Sequence, residues 1–312
     1  MYKASSQILL PTSIIGSLPR PAWHTVSLGK RSFLEAMVNA RWREQYEDAV
    51  STHLRAQEIA GLDICTDGDA HYDEAILPEL LAAAVTDDYY KDPVERCWAF
   101  SEALNQELNA LADAGCPVIQ LEEPQIHMVP ARGKPFGRLE AADLVKLFNN
   151  TVKGLRQKTE VWCHTCWGNP AQQRIFRDIQ SYQPTLAALN EVDADAITFE
   201  TCSSGTGDLE AIGKTIVDKK VVVGVIDHHT LQIERADQVA ELLREALHHI
   251  PPERLVISSD CGMGREGMSR RHAQYKMVAM VLGTNIVRQE LGIAEAECLA
   301  ADPRYSLASR AP

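Results

Sequence analysis

The chain has 312 residues, room for two average domains or for one (β/α)8 barrel. Hydrophobic residues make up 45% and charged residues 24%, the proportions of a globular protein rather than a disordered one. Against 43 Asp and Glu there are 31 Lys and Arg, and the resulting net charge of −12 excludes a general nucleic-acid binder or a clamp for anionic membranes.

The N-terminus, MYKASSQILLPTSIIG, has no basic segment followed by a long apolar one, and no stretch nears the roughly 18 apolar residues of a membrane span. A cytoplasmic location is expected. Short apolar runs follow at 14–17, 63–67, 118–122, 161–164, 196–200, 221–227 and 255–260, with amphipathic helical patterns at 46–59, 93–114, 139–156, 236–248 and 269–291. An eighth strand is sought within 80–90. The stretch 124–138, with Pro124, Pro130, Gly133, Pro135 and Gly137, reads as one loop. No repeat, low-complexity tract or linker divides the chain, so a single domain over 1–312 is expected.

Strands alternating with helices predict parallel βαβ units. Nearly every apolar run ends in a reactive group: Ser17, Asp67 to Asp69, Glu122, His164, Glu200, Asp227 to His229, and Asp260 with Cys261. A doubly wound sheet concentrates its site at one switch point, whereas a TIM barrel collects residues from the carboxyl ends of all its strands. The spread predicts a single (β/α)8 TIM barrel with a short N-terminal extension. The apolar 276–282 stretch is assigned to packing against that barrel. His248 and His249 end a helix, where they complement its dipole.

Eight cysteines (65, 97, 116, 163, 166, 202, 261 and 298) are too sparse for a disulfide scaffold of this length. Side chains alternate along an extended chain, so His164 and Cys166 share a face and Cys163 takes the other. Glu200 ends the next run and Cys261 the last. One imidazole, one carboxylate and two thiolates at strand ends suit tetrahedral zinc. Cys202, two residues beyond Glu200, is the competing thiol, and the other cysteines are assigned to packing.

Taken in order, IIGS (Ile14 to Ser17), TDGD (Thr66 to Asp69), QLEEP (Gln120 to Pro124), HTC (His164 to Cys166), Glu200, GVIDHHT (Gly224 to Thr230) and DCG (Asp260 to Gly262) resemble the C-terminal catalytic barrel of the cobalamin-independent methionine synthase family. The resemblance covers almost the whole chain. It implies that His164, Cys166, Glu200 and Cys261 hold a zinc ion, which activates the homocysteine thiol by keeping it ionised. It assigns the substrate carboxylate to Ile15, Gly16 and Ser17, and the ammonium group to Asp69 and Glu122, since a buried cation needs paired charge. His229, with Asp227 beside it, resembles the histidine that gives a proton to the leaving methyl donor; His228 is the alternative.

Two departures from the family pattern matter. Asp69 stands where the family has Glu and Glu122 where it has Asp, which moves each carboxylate by about one methylene. The family's N-terminal half has no counterpart in these residues, and the stretch from Asp69 to Glu122 is short where much of the folate site would lie. The expected methyl donor is therefore a methylcorrinoid, as methylcobalamin or on a partner protein. Related epoxyalkane:coenzyme M transferases use a sulfonated thiol, for which Arg20 or the cluster Arg265, Arg270 and Arg271 would supply the cation. The segment SSGTG (Ser203 to Gly207) before a helix is a further anion cradle. A reading of another class is a non-enzymatic zinc-binding or corrinoid-carrying partner.

Overall fold

The computed structural model describes residues 4–28, 36–70, 78, 82–83, 85–168, 181–264 and 267–302. Five parallel strands, β1 (Val118–Glu122), β2 (Glu160–His164), β3 (Ala196–Phe199), β4 (Lys220–Ile226) and β5 (Leu255–Ser259), lie side by side in chain order. The helices are α1 (Ala22–Ser27), α2 (Ala40–Ala60), α3 (Pro93–Asp113), α4 (Gln125–Arg132), α5 (Ala141–Thr151), α6 (Leu186–Asn190), α7 (Leu209–Thr215), α8 (Ala236–His249) and α9 (Arg270–Glu290).

The apolar runs become strands because both their faces are buried, as in sheets covered by crossover helices. Long helices begin where a side chain takes an orphan amide. Asn39 accepts from Arg41 N on α2, Asp92 from Val94 N on α3, with Pro93 in the first turn, and Ser269 from His272 N on α9. Gly61, in the left-handed region at φ 88°, ends α2.

The first two predicted strands extend the ladder only briefly. Ile257 N donates to Pro11 O and Ser13 N to Ile257 O, both at 2.9 Å, and Thr12 O accepts from Asp63 N and Ile64 N. The ladder contact thus falls at 11–13 rather than 14–17. Ile15 N donates instead to Ser259 Oγ, and Gly16, at φ +60°, turns the chain away. At 63–67 the ladder stops because Gln57 takes over both backbone groups of Thr66, accepting from its N–H at 2.8 Å and donating to its carbonyl at 2.7 Å.

Two other expectations are corrected. The stretch 124–138 contains a helix, α4, rather than one continuous loop. Glu123 Oε1 caps it by accepting from Gln125 N and Ile126 N, and burial of Ile126, His127 and Met128 holds its inner face. The eighth strand sought at 80–90 falls partly outside the described residues. Its described end is a turn in which Asp87 Oδ1 accepts from Tyr89 N and Tyr90 N.

One face of the sheet carries an apolar layer of Ile15, Trp162, Ala196, Val222 and Val256, flanked by Ile64 and Val118. The other face packs on the helices through the main core. Lys276 and Met277 of the 276–282 stretch are buried in α9, in keeping with a packing role, while His248 and His249 end α8 beside Glu245.

Arg288 of α9, 1% exposed, ties the first segments together. It donates to Leu10 O at 2.9 Å and to Asp63 Oδ2 at 2.5 Å, and the same carboxylate oxygen accepts from Thr12 N and Thr12 Oγ1 at 2.8 Å. Replacing Arg288 by Ala strands a carboxylate that is nine-tenths buried. The expected loss is about 3–5 kcal/mol of stability, read from urea unfolding; a change under about 1 kcal/mol would remove the tie from the account of the fold.

Candidate metal centre

His164 closes β2 and is wholly buried. Its Nδ1 shares a 2.7 Å hydrogen bond with Thr198 Oγ1 on β3, which turns Nε2 toward Cys261 Sγ at 3.4 Å. Cys261 Sγ in turn donates to Cys166 Sγ at 3.5 Å. His164, Cys166 and Cys261 therefore bring one nitrogen and two sulfur atoms within 4.8 Å of one another. That hydrogen bond holds the Cys166 thiol well below its usual range, against burial, and pushes Cys261, itself buried, well above.

Glu200 lies beside this group rather than in it. Its Oε2 accepts from Trp167 N, the amide next to Cys166, at 2.8 Å, and its Oε1 accepts from Ser203 Oγ at 2.5 Å. Burial, with the charges of Asp260 and Cys166, raises its carboxyl to about 8. A nitrogen, two sulfurs and an adjoining carboxylate, all screened from water, form a donor set that fits zinc.

The loop holding Glu200 is fixed by Asp260. Its Oδ1 accepts from Thr201 N and Cys202 N at 3.0 Å and its Oδ2 from Ser203 N at 2.7 Å. Burial lifts this carboxyl to about 6, against the amides of Cys202 and Ser203 and the Ser203 hydroxyl. Of the SSGTG segment only Ser203 takes part; the amides of Thr201 and Cys202 precede it. Cys202 enters through its amide, and its thiol, pushed up by burial, stays out of the donor group.

Beyond β4, Asp227 Oδ1 accepts from His229 N at 2.7 Å and meets His229 Nδ1 at 3.2 Å, and the same Nδ1 lies 4.0 Å from Glu200 Oε1. Burial opposes charge on His229, but the hydrogen bond to Asp227 and the field of Glu200 outweigh it and raise its pKa. His228, stacked 3.8 Å away, is pushed down to about 4 by burial and by the charge on His229.

On the other side, Gly16 packs on Gly262: a Cβ at Gly16 would stand 3.3 Å from Gly262 Cα and 3.7 Å from Asp69 Oδ2. Ser17 O accepts from Met263 N and Gly264 N, and Leu18 N donates to Gly68 O. The loops after segments 11–13, 63–64 and β5 therefore meet, which brings Gly16, Ser17 and Asp69 to the Cys261 loop. Glu122 ends β1 in register with His164. Ile15 is less free than predicted, since its side chain lies in the apolar layer and its N–H serves Ser259.

Arg20 donates to Asp69 O at 3.0 Å. Arg270 and Arg271 line a cavity of about 230 Å³ between α2 and α9, with His53, Gln274 and Met277, and Arg265 lies outside the described residues. Sequence reasoning missed the supporting residues: Thr198 behind His164, Ser203 behind Glu200, and His127, whose Nε2 meets Cys166 O at 2.8 Å in an aromatic nest with Trp167 and Tyr182. Among these only Ser203 carried a signal, as part of the glycine-containing turn.

A parallel α/β sheet with clustered His, Cys and carboxylate groups beyond the carboxyl ends of its strands defines an α/β enzyme with a metal-type donor set. The chain belongs to the cobalamin-independent synthase family, whose catalytic-domain model matches residues 79–283. By that membership it is a methyltransferase. It is 27% identical to a methionine synthase of Saccharolobus solfataricus, covering 91% of this chain and 96% of that protein. A methionine synthase of Sulfurisphaera tokodaii is 26% identical, with 91% and 94% covered. In fold, it matches a B12-independent methionine synthase from Shewanella solved in complex with selenomethionine (TM-score 0.70, 23% identity, 91% of this chain and 99% of that one). A second match is a putative vitamin-B12-independent methionine synthase from Listeria monocytogenes (TM-score 0.62, 18% identity, 88% and 96%). No helix among the described residues is long and apolar enough to cross a membrane.

Gly224 of β4 faces Asp260, and a Cβ there would stand 2.6 Å from Asp260 Cα. Gly224→Ala is expected to cost about 1–3 kcal/mol by overpacking, read from urea unfolding. An unchanged midpoint would show that Asp260 and its loop can move aside.

Proposed function

We propose that this protein transfers a methyl group to the sulfur of homocysteine, giving methionine, with His164, Cys166, Cys261 and Glu200 as the zinc ligands. The observation that carries the reading is the convergence of one imidazole and two thiols from β2 and the β5 loop, with Glu200 hydrogen-bonded to the amide next to Cys166. When bound, zinc holds a substrate thiol as thiolate at neutral pH.

The remaining roles are proposed from the family resemblance, with position in support. Gly16 and Ser17 offer N–H and hydroxyl groups to the amino acid's carboxylate, while Ile15 supplies the floor beneath them. Asp69, against Gly16, and Glu122, in register with His164, receive the ammonium group. His229, gripped by Asp227, is the proposed proton-transfer residue: it takes up the proton that the homocysteine thiol gives up, since a Co(I) corrin departs without one.

We also propose that the strands close into a single (β/α)8 barrel spanning 1–312. Support comes from an apolar layer that draws on seven successive segments, from Ile15 and Ile64 to Val256. The donor we propose is a methylcorrinoid, a choice that rests on the short stretch between Asp69 and Glu122. The chemistry calls for a small-molecule thiol, with no nucleic acid and no membrane as partner.

Zinc-edge X-ray absorption tests the site. The expected change is from two sulfur ligands to three on adding homocysteine, with most of the metal lost in Cys261→Ser while the fold persists. Two sulfurs before and after would overturn homocysteine as acceptor, and full zinc in Cys261→Ser would remove that ligand. Turnover with methylcobalamin against methyltetrahydrofolate tests the donor: activity is expected with the corrinoid and lost by at least about a hundredfold in His229→Ala. Turnover with the folate alone would reverse the assignment of the donor.

A further inference from the structure

Two buried side chains from outside the 227–229 loop grip its first residue at both ends. The N–H of Asp227 donates to Glu234 Oε1 at 3.0 Å, and its carbonyl accepts from Lys276 Nζ at 3.0 Å. Lys276, on α9, also donates to Gln232 O at 2.6 Å and to the two oxygens of Glu234 at 2.8 and 3.0 Å. The Lys276 side chain is 0% exposed and that of Glu234 12%. All three ammonium protons can thus be matched to acceptors.

A buried ion pair of this kind contributes little net stability, because desolvation offsets much of the attraction, and an apolar pair of similar volume often does as well. What an apolar pair lacks is any means of holding a peptide's N–H and C=O together. Here the gripped peptide belongs to Asp227, whose carboxylate takes both the N–H and the ring Nδ1 of His229. We infer that Lys276 and Glu234 are positioning residues. Their ion pair fixes the Asp227 backbone, the backbone fixes the carboxylate, and the carboxylate fixes the His229 imidazole with its Nδ1 4.0 Å from Glu200 Oε1. The inference deepens the reading of His229 as the proton-transfer residue and rests on it. Neither residue is among the candidate metal-binding groups, so both act through the loop that bears His229.

Three variants of the zinc-loaded protein test this. Glu234→Ala removes the acceptor for Asp227 N. The pair Lys276→Met with Glu234→Leu removes the whole clamp without leaving a charge buried alone, which keeps the fold. Glu234→Gln keeps an oxygen for both donors. Two readouts are needed: kcat and KM for homocysteine, and the ring Nδ1–H proton resonance of His229 in NMR spectra, assigned by its loss in His229→Ala. The hydrogen bond to Asp227 shields that proton from solvent exchange.

In Glu234→Ala and in the double variant, kcat is expected to fall roughly tenfold or more, with KM within about twofold, zinc content unchanged and the Nδ1–H resonance broadened away by exchange. Glu234→Gln is expected to keep the resonance and most of kcat. A double variant with a sharp Nδ1–H resonance would overturn the inference, whatever its turnover. So would a broadened resonance with wild-type kcat. Absence of turnover in the unmodified protein would count against the methyl-transfer reading instead, and the resonance alone would then decide the clamp.

Discussion

The candidate site depends on one carboxylate. Asp260 is fully buried, yet it accepts from three consecutive amides, Thr201, Cys202 and Ser203, and so draws the loop after β3 down onto the end of β5. Without those amides a carboxylate at this depth would be costly; with them it becomes a staple between two strand ends. Its position next to Cys261 ties Glu200 and Ser203, beyond β3, to the sulfur beyond β5, two strands away. Gly224 makes the approach possible by having no side chain where Asp260 lies. The arrangement of Glu200 relative to Cys166 and Cys261 is thus set by a residue that takes no part in the donor group.

The strands and long helices were legible in the sequence for a simple reason: buried parallel strands are apolar on both faces, and five of the seven runs read that way are strands of the sheet. The donor residues were legible because they end those runs. Where reading failed, side chains had replaced backbone partners. Gln57 satisfies Thr66 and ends one predicted strand, Ser259 takes the Ile15 amide and ends another, and Glu123 caps a helix inside a stretch rich in proline. The role of Asp260 was hidden because its partners lie 57 to 59 residues away. A carboxylate next to a cysteine in DCG looks like chemistry; that it is spent on three amides is visible only once the two loops are together.

Helix α9 joins these constraints. Lys276 and Arg288 are separated by about 18 Å along it, at 1.5 Å per residue. Both are buried, and each is bound to a carboxylate and to backbone carbonyls of a different segment: Lys276 to the 227–234 loop, Arg288 to Leu10 and Asp63. One rigid element therefore fixes the loop that bears His229 at one end and, at the other, the two short segments that lead into Gly16, Ser17 and Asp69.

Apolar residues could fill the same volumes and pack α9 against the sheet at no greater cost. They could not also satisfy Asp227 O, which is partly buried, and Leu10 O, which is buried, and the loss of a donor at such groups costs about 1–3 kcal/mol each. The loops beyond the strands would have to open toward water or adopt other paths. Buried cations on this helix thus allow irregular backbone to exist next to the core, and the irregular backbone is what carries the candidate catalytic groups.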